Sequence, residues 1–403
     1  MNVNAVVLPT NKDENWRYAN LRPLAKAKPD PVANDAAPAG LPLPAPLPDY
    51  ERWIFIDGRF APSLSKPAAN TCAALLEVSD AGDAFAVMLD SAIASEGVDF
   101  ALARVNAARG ARVLQIAAPD GARARLELVF VATAAAASGT SYPRVQVHAG
   151  RNSHLRIVER HISAGEADSS VNAAVDVALR ADATLDHCRL QNVADAASCF
   201  DTLTAHVAER ATYRLRTVTL GGLTSRSTIL VKLAGRAARC DLTAGSIANG
   251  IQTHDVFAEI EHAGADTVTR ELYRGIATDR GKLGFNGKMV VRESGPGSDS
   301  EQSLKTLLTG SGAEASVRPQ LEIYTDRVRA VHGATTGKLD EQMLFYLLSR
   351  GIERRQAQTL LQWAFIEDAI SRLDCVELRV EIEQLVAAQL NEVSALEGLL
   401  GKP

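Results

Sequence analysis

The sequence predicts a mainly β fold: a solenoid of stacked strands between a helical N-terminal region and a C-terminal helical domain. Three observations carry this. First, the segments RNSHLRIVE, ADATLDHCR, ERATYRLRT, RAARCDLTA and GADTVTREL recur when anchored on Ser153, Ala183, Ala211, Ala238 and Asp266, at intervals of 30, 28, 27 and 28 residues. Second, the spacing within each segment is two. Leu155, Leu185, Tyr213, Cys240 and Val268 stand two residues past the anchor; Ile157, His187, Leu215 and Leu242 stand four past it, before Arg270 breaks the column. Third, the period becomes helical after Asp340, with Met343, Leu344, Leu347 and Leu348 forming a stripe. A strand cannot bury its apolar face alone, and strands at a near-constant interval bury it by stacking coil on coil. An antiparallel sandwich also presents many short strands, so the repeat alone leaves that alternative open.

In chain order the sequence divides at composition changes. Residues 1–28 form an N-terminal helical segment, in which Trp16, Tyr18, Leu21 and Leu24 read as a short amphipathic helix that anchors the segment by packing. Residues 29–49, rich in Pro and Ala, read as an extended or disordered linker. Residues 50–111 form an α/β region. It opens on a hairpin, Trp53 to Phe60, turned at Asp57-Gly58, and continues in a helical stretch over about 78–108 with Phe85, Met88, Leu89 and Ile93 on one face. The solenoid core spans 112–331. The last part, 332–403, holds three helices: one after the N-cap Asp340 that ends at Gly351, one from about Glu353 to Leu373, and one from about Val376 to Leu400. In the second, Ala357, Leu360, Leu361, Ala364 and Phe365 mark the apolar side; in the third, Ile382, Leu385, Val386, Leu390 and Val393 do. These faces suit a small bundle that caps the last strand of the solenoid, or a docking surface for another protein.

Composition excludes several classes. The 403 residues are 46% hydrophobic and 23% charged, as in globular proteins with a substantial core. A net charge of -5 gives no electrostatic reason to expect nucleic acid or an anionic membrane. The opening MNVNAVVLPT lacks the basic and apolar regions of a secretion signal, and the most apolar stretch, Leu126 to Ala137, is too short to span a bilayer. Five scattered cysteines without a CxxC pair fit reduced thiols. A cytoplasmic protein is expected.

Chemistry-bearing motifs are sparse. The eight histidines form no HxH or HxxxH pair. His187 lies in an otherwise apolar column and reads as a hydrogen-bonded core residue, with Cys188 facing out. Arg292 to Gln302, RESGPGSDSEQ, reads as a polar loop because no Lys-Ser/Thr follows it on a helix. The low aromatic content, 5%, and the lack of clustered carboxylates argue against a polysaccharide-cleaving β-helix. No enzyme active site stands out. The most distinctive stretch is Leu321 to Ile352. Leu321, Ile323, Val328 and Val331 alternate as a half-buried strand, and His332-Gly333 and Gly337 then break the pattern. This sets His332 on a tight loop between two rigid elements.

That stretch, VHGATTGKLDEQMLFYLLSRGI, resembles the HGAT-G-LD…FYL-SRGI signature of the SufB/SufD family of iron–sulfur cluster assembly proteins. PTNKDENWRYANLRPL is similar to the N-terminal signature of that family's SufD branch. HDVFAEIEHAG, ELYRGIATDRGKLGFNGKMVV and RPQLEIYTDRV resemble its central and late β-helix segments. The resemblance covers nearly the whole chain apart from the linker and about 61–110.

The resemblance implies a right-handed parallel β-helix flanked by helical regions, and a non-enzymatic scaffold role. It implies two partners: SufB, met through the β-helix, and the SufC ATPase, docked on the C-terminal helices. Leu344, Phe345, Tyr346, Leu347, Arg350, Gly351 and Phe365 are the candidates for that dock. The motif loop would comprise Gly333, Ala334, Thr335 and Gly337, and His332 would be a ligand of a transient iron–sulfur cluster shared with SufB. The isolated chain would bind no cofactor, and no residue suggests a flavin site. Relatives that read K-C-S-H-G-A-T carry a thiol where this chain has Ala330. Thiolates are the preferred cluster ligands and imidazole an occasional one, so this chain would contribute one ligand to a shared site. The alternatives are a structural brace for SufB without metal ligation, and a homodimer formed through the same edge.

Overall fold

The computed structural model describes residues 6–28, 30–31, 40–77, 98–110, 112–166, 168–390 and 396. Their core is a parallel β-solenoid of about seven coils. Each coil contributes one strand to each of two facing sheets. In the first sheet the strands run in order from the hairpin Glu51–Ile56 and Arg59–Phe60 to Val328–Gly337; in the second they run from Ala73–Glu77 to Glu314–Ile323. Pairing is parallel throughout except in the hairpin and between Ala73–Glu77 and Arg112–Ala118. The antiparallel sandwich is thereby excluded. The hairpin follows expectation: Asp57 and Gly58 both hold positive φ, at 50° and 83°, as a primed turn requires.

The coils are locked by a repeated corner. Asn152, Asp182, Arg210, Ala237 and Asp266 hold left-handed φ between 53° and 60°, each just ahead of a strand of the first sheet. The residue after each corner turns inward and is buried: Ser153, Ala183, Ala211, Ala238 and Thr267. Thr267, not Asp266, is therefore the fifth anchor. In consequence Cys240 pairs with Thr269 and Leu242 with Glu271, one residue later than the spacing of the first four repeats predicts. Arg270 does not break the inward column; it faces out and pairs with Asp299. Two early inward columns are largely apolar, running Leu155, Leu185, Tyr213 and Ile157, His187, Leu215, Leu242, while the neighbouring column carries Glu159 and Arg189. Burying such columns from coil to coil is the main stabilising term of the body.

Two flanks are covered. On the second sheet, Trp16, Ala19 and Leu102 pack around Phe200. Trp16 is buried, but Tyr18 is half exposed, and the expected amphipathic helix is a 3-10 turn, Glu14–Trp16, followed by the short helix α1, Arg22–Lys26. The helix α2, Ala101–Arg109, is the described end of the expected helical stretch; Phe85, Met88, Leu89 and Ile93 lie outside the described residues, as do 32–39 of the linker. The helix α3, Glu341–Ser349, packs against α4, Arg354–Ile370, and α4 with α5, Val376–Gln389, lies on the first sheet. Val393 and the expected continuation to Leu400 lie outside the described residues, except for the buried Leu396.

These helices do not build a bundle of their own over the solenoid's end. Trp363, Ile366, Ile370, Ile382 and Val386 pack on Val158, Cys188, Leu190, Val218 and Ile247, which project from the outer face of the first sheet. The buried side of α4 is Ala357, Thr359, Trp363, Ile366 and Ala369–Ile370, with Leu360 and Phe365 of the expected side partly buried against the same core; Ala364 is exposed. The helix lies close on the strand at Gly245, where even a Cβ would reach ordinary contact with Ala369 and Ile366 at 3.6 and 3.7 Å. Arg274 bonds Asp368 at 2.6 Å, and Arg160 bridges Glu127 and Glu381 at 3.4 and 3.1 Å. No described helix is long and apolar enough to cross a membrane.

The two ends of the solenoid differ. At the first, Trp53, Phe55 and Phe60 fill the coil, with Phe55 stacked on Phe130 at 5.0 Å. At the last, Glu314–Ile323 and Val328–Gly337 are the outermost strands of the two sheets.

Candidate functional site at the open end

His332 stands within the last strand, not on a loop. Val328–Gly337 is paired along its length with Ser298–Leu308, so Gly333, Ala334, Thr335 and Gly337 are strand residues. Neither Gly333 nor Gly337 holds positive φ, and a Cβ at either would meet nothing within 4 Å. Both glycines are conformationally ordinary here, so they do not interrupt the strand. The expected single strand around Leu321 and Val331 is two strands of different sheets joined by a corner at 324–327.

Alternation decides which way His332 points. On Ser298–Leu308 the buried set is Ser298, Ser300, Gln302, Leu304 and Thr306, which face the solenoid interior. Their register partners are Val328, Ala330, His332, Ala334 and Thr336. Thr306 Oγ1 lies 2.9 Å from Thr336 Oγ1, so side chains of this face meet across the strand pair. His332 and Ala330, the position of the missing thiol, therefore share one inward face. No coil follows, so that face is open and His332 is exposed. On the other sheet Gly287 pairs with Pro319 and Met289 with Leu321, which places the outermost positions of that column on Glu314–Ile323. Ile323, Tyr324 and Val331 are exposed at 42%, 53% and 53%, an apolar border around an unpaired edge.

Beneath His332 the interior turns polar. The column Leu215–Leu242 continues as Glu271, Gln302 and His332. Gln302 Nε2 donates to Glu271 Oε2 at 2.7 Å and to the Gly287 carbonyl at 3.0 Å. Burial pushes the Glu271 carboxyl up to about 8, against the opposing effect of the Gln302 hydrogen bond. Sequence reasoning missed Gln302 by assigning it to a loop. The signal was there: Ser298, Ser300, Gln302, Leu304 and Thr306 alternate, but the inward set is mostly polar, so a search for apolar alternation passes over it.

The docking candidates separate into two faces. Asp340 caps α3 as expected, accepting from the Gln342 and Met343 amides at 2.8 and 3.1 Å, and Gly351 ends it with φ of 84°. Leu344 is buried, and Leu347 and Phe365 are partly so; Phe365 packs against the flank core. Met343, Phe345 and Tyr346 are exposed at 53%, 72% and 53%, and the Arg350 guanidinium lies 5.2 Å from the Tyr346 ring centre.

The other titratable groups are structural in their surroundings. His187 is buried with its two nitrogens 3.1 Å from the Tyr213 hydroxyl and Glu159 Oε2, the hydrogen-bonded core histidine that was expected. Cys188 does face outward but lies under the helices, and burial pushes its thiol up to about 12. The thiols of Cys199 and Cys240 are buried and raised by the same desolvation. Among the described residues no group of three His, Cys, Asp or Glu is placed to hold a metal ion. A cavity of about 570 Å³ lies at the hairpin end, lined by Phe55, Phe60, Phe130 and Tyr142, and none of the motif residues line it.

Comparison with known proteins bears on this geometry. Residues 130–365, more than half of the chain, match the family model described as SUF system FeS cluster assembly, SufBD core domain. The chain is 27% identical over 387 residues to the iron-sulfur cluster assembly protein SufD of Escherichia coli, covering 95% of this chain and 89% of that protein. It is 26% identical over 403 residues to an iron-sulfur cluster assembly SufBD family protein of Synechocystis, covering 95% and 87%. A SufBD family protein of Mycobacterium leprae is 28% identical over 267 residues, covering 64% and 66%.

Proposed function

The chain belongs to the SufBD family of SUF-system iron–sulfur cluster assembly proteins, and from that premise we propose that it is a non-catalytic, SufD-type scaffold subunit working with a SufB-type paralogue and a SufC-type ATPase. The paralogue docks on the open last coil and completes the unpaired strand edges. His332 supplies one imidazole to a cluster built at that junction. The thiolates come from the partner, because this chain has Ala330 on the same inward face. The cluster is cargo: assembled, held briefly and handed on, with none retained by the isolated chain. The ATPase binds the exposed side of α3, and its ATP-driven dimerisation strains the helical tail and opens the junction to iron or sulfur. The complex works in the cytoplasm.

One observation carries the reading. The family's motif histidine lies at the mouth of the interior column, on a strand whose outer edge has no partner in the chain. A histidine kept only to hold a loop would not need that position.

The test is co-expression with the SufB-type and SufC-type proteins of the same genome, followed by iron and sulfide analysis of wild type and His332→Ala. Both should assemble, and the variant should carry less cluster. Equal cluster in the variant would leave this chain as a structural brace. A chain that only pairs with itself would overturn the heteromeric assignment.

A further inference from the structure

Gln302 has one function left over. Its amide hydrogens are used, one on Glu271 Oε2 and one on the Gly287 carbonyl. Its carbonyl Oε1 is buried and accepts no hydrogen bond among the described residues. The residue itself is 2% exposed, and an acceptor buried to that depth is costly when left without a partner. The next rung of the same inward column is His332. Adjacent rungs of a sheet lie about 4.8 Å apart, so an amide oxygen on one rung is within reach of an imidazole N–H on the next.

The arrangement is built. At Gly287 a Cβ would stand 2.6 Å from Glu271 Oε2 and 2.9 Å from Gln302 Nε2, so any larger residue there displaces the ends of these two side chains from their present positions. With Glu271 Oε2 and the Gly287 carbonyl both accepting from it, turning the Gln302 amide over would lose the hydrogen bond to the Gly287 carbonyl, which can only accept. The oxygen is thereby the group it presents to the remaining direction.

We infer that Gln302, fixed by Glu271 and Gly287, is a positioning residue for His332: its Oε1 accepts the N–H of one imidazole nitrogen and turns the other nitrogen, as a lone pair, toward the open end. Imidazole ligands of metals are commonly oriented in this way, by a hydrogen bond from the nitrogen that does not coordinate. The role deepens the reading of His332 as a cluster ligand and rests on it for its purpose, but the tautomer itself is measurable without iron.

The full chain is labelled with ¹⁵N-histidine and its ring nitrogens are read by long-range ¹H–¹⁵N correlation, at a pH where the exposed rings are neutral. The His332 signal is the one lost in His332→Gln. Wild type should show His332 in a single tautomer. Gln302→Leu should convert it to a mixture of both, and so should Gly287→Ala, which keeps both side chains but forces them apart. The other seven histidine signals report whether each variant is folded, and either variant alone decides the matter. In the assembled complex Gln302→Leu should also weaken ferrous iron binding by about 10- to 100-fold. A mixed tautomer in wild type, or one unchanged in either variant that is folded, overturns the inference. A tautomer released by Gln302→Leu, in a complex whose cluster yield ignores His332→Ala, would uphold the positioning and remove the ligand role. The converse pair of results would do the reverse.

Discussion

The guanidinium of Arg226 lies over the indole of Trp16, its central carbon 4.2 Å from the ring centre, and the same guanidinium is paired with Asp255. The contact ties the N-terminal segment to the middle of the second sheet. Trp16 Nε1 donates to Asp99 at 2.7 Å, which draws in the residue just ahead of α2. Trp16→Ala should therefore lower stability by about 3 kcal/mol, within the range for truncating a buried aromatic. The same change at Tyr18, half exposed, should cost under about 0.5 kcal/mol. Thermal melts of the two variants beside wild type check the contrast; equal shifts would mean that the segment is not anchored through Trp16.

A second prediction concerns the ionic cluster buried inside the solenoid. Arg189 lies between Glu159 and Asp201, at 3.2 and 2.8 Å, and all three are buried. Burial disfavours the charge on Glu159, but Arg189, His161 and His187 outweigh it and hold the carboxyl well below its usual range. Removing only the cation strands two carboxylates in a dry interior. Arg189→Met should cost about 3 to 5 kcal/mol, as breaking buried pairs generally does. A melting temperature within a degree or two of wild type would show that water reaches the cluster.

Much of the architecture was legible because it rests on period and interval. The first four anchors, the hairpin turn at Asp57-Gly58, the Asp340 cap and the Gly351 stop depend on local chemistry that the residues state directly. Legibility failed where the interior is not apolar or where a residue has two uses. The inward set Ser300, Gln302 and Thr306 has the alternation of a strand with the composition of a loop. Gly333 and Gly337 read as breakers, yet glycine is also tolerated on an edge strand with free space around it. On α4 the expected Ala357 is buried and Leu360 and Phe365 do pack on the flank core, but Trp363 and Ile366 were passed over, because helical periodicity alone cannot say how far round the helix the sheet's outer face reaches.

Stability should depend on pH with a maximum near neutrality. Burial holds the imidazoles of His254 and His262 down to about 4. As pH falls from about 6.5 to 4, the unfolded chain takes up protons at these sites that the folded chain does not, so stability drops through that window. Glu271 acts in the opposite sense. With its carboxyl raised to about 8, the folded chain retains a proton that the unfolded chain releases above about 4.3, so its contribution declines as pH rises from there to 8. His148, His187 and His206, also lowered by burial, add to the acid-side loss. Asp176, Glu367 and Glu381, raised by burial, act in the same sense as Glu271. Glu271→Gln keeps an acceptor for Gln302 and removes the titration. It should raise the melting temperature at pH 8 and flatten the profile between 6.5 and 8. An unchanged profile in that variant would assign the alkaline slope to other groups.

The last prediction separates folding from recognition on α3. Phe345 and Tyr346 are among the most exposed large side chains of the described residues, while Leu344, their neighbour, is 2% exposed. Leaving two aromatic rings and Met343 in water gains the folded chain nothing, so their apolar surface is available to a partner; aromatic residues on such patches commonly dominate binding. Phe345→Ser and Tyr346→Ser should each leave the melting temperature unchanged, within about 0.5 kcal/mol, and should each weaken SufC-type ATPase binding by about 2 kcal/mol or more, read by titration calorimetry with the purified partner. Leu344→Ala should do the converse, costing about 2 to 3 kcal/mol in stability through the cavity it leaves. If the serine variants bind the ATPase as wild type does, the dock lies on another face of the helical domain. Phe365 is only partly buried against the flank core, so the search would move to Phe365 and to the exposed side of α5.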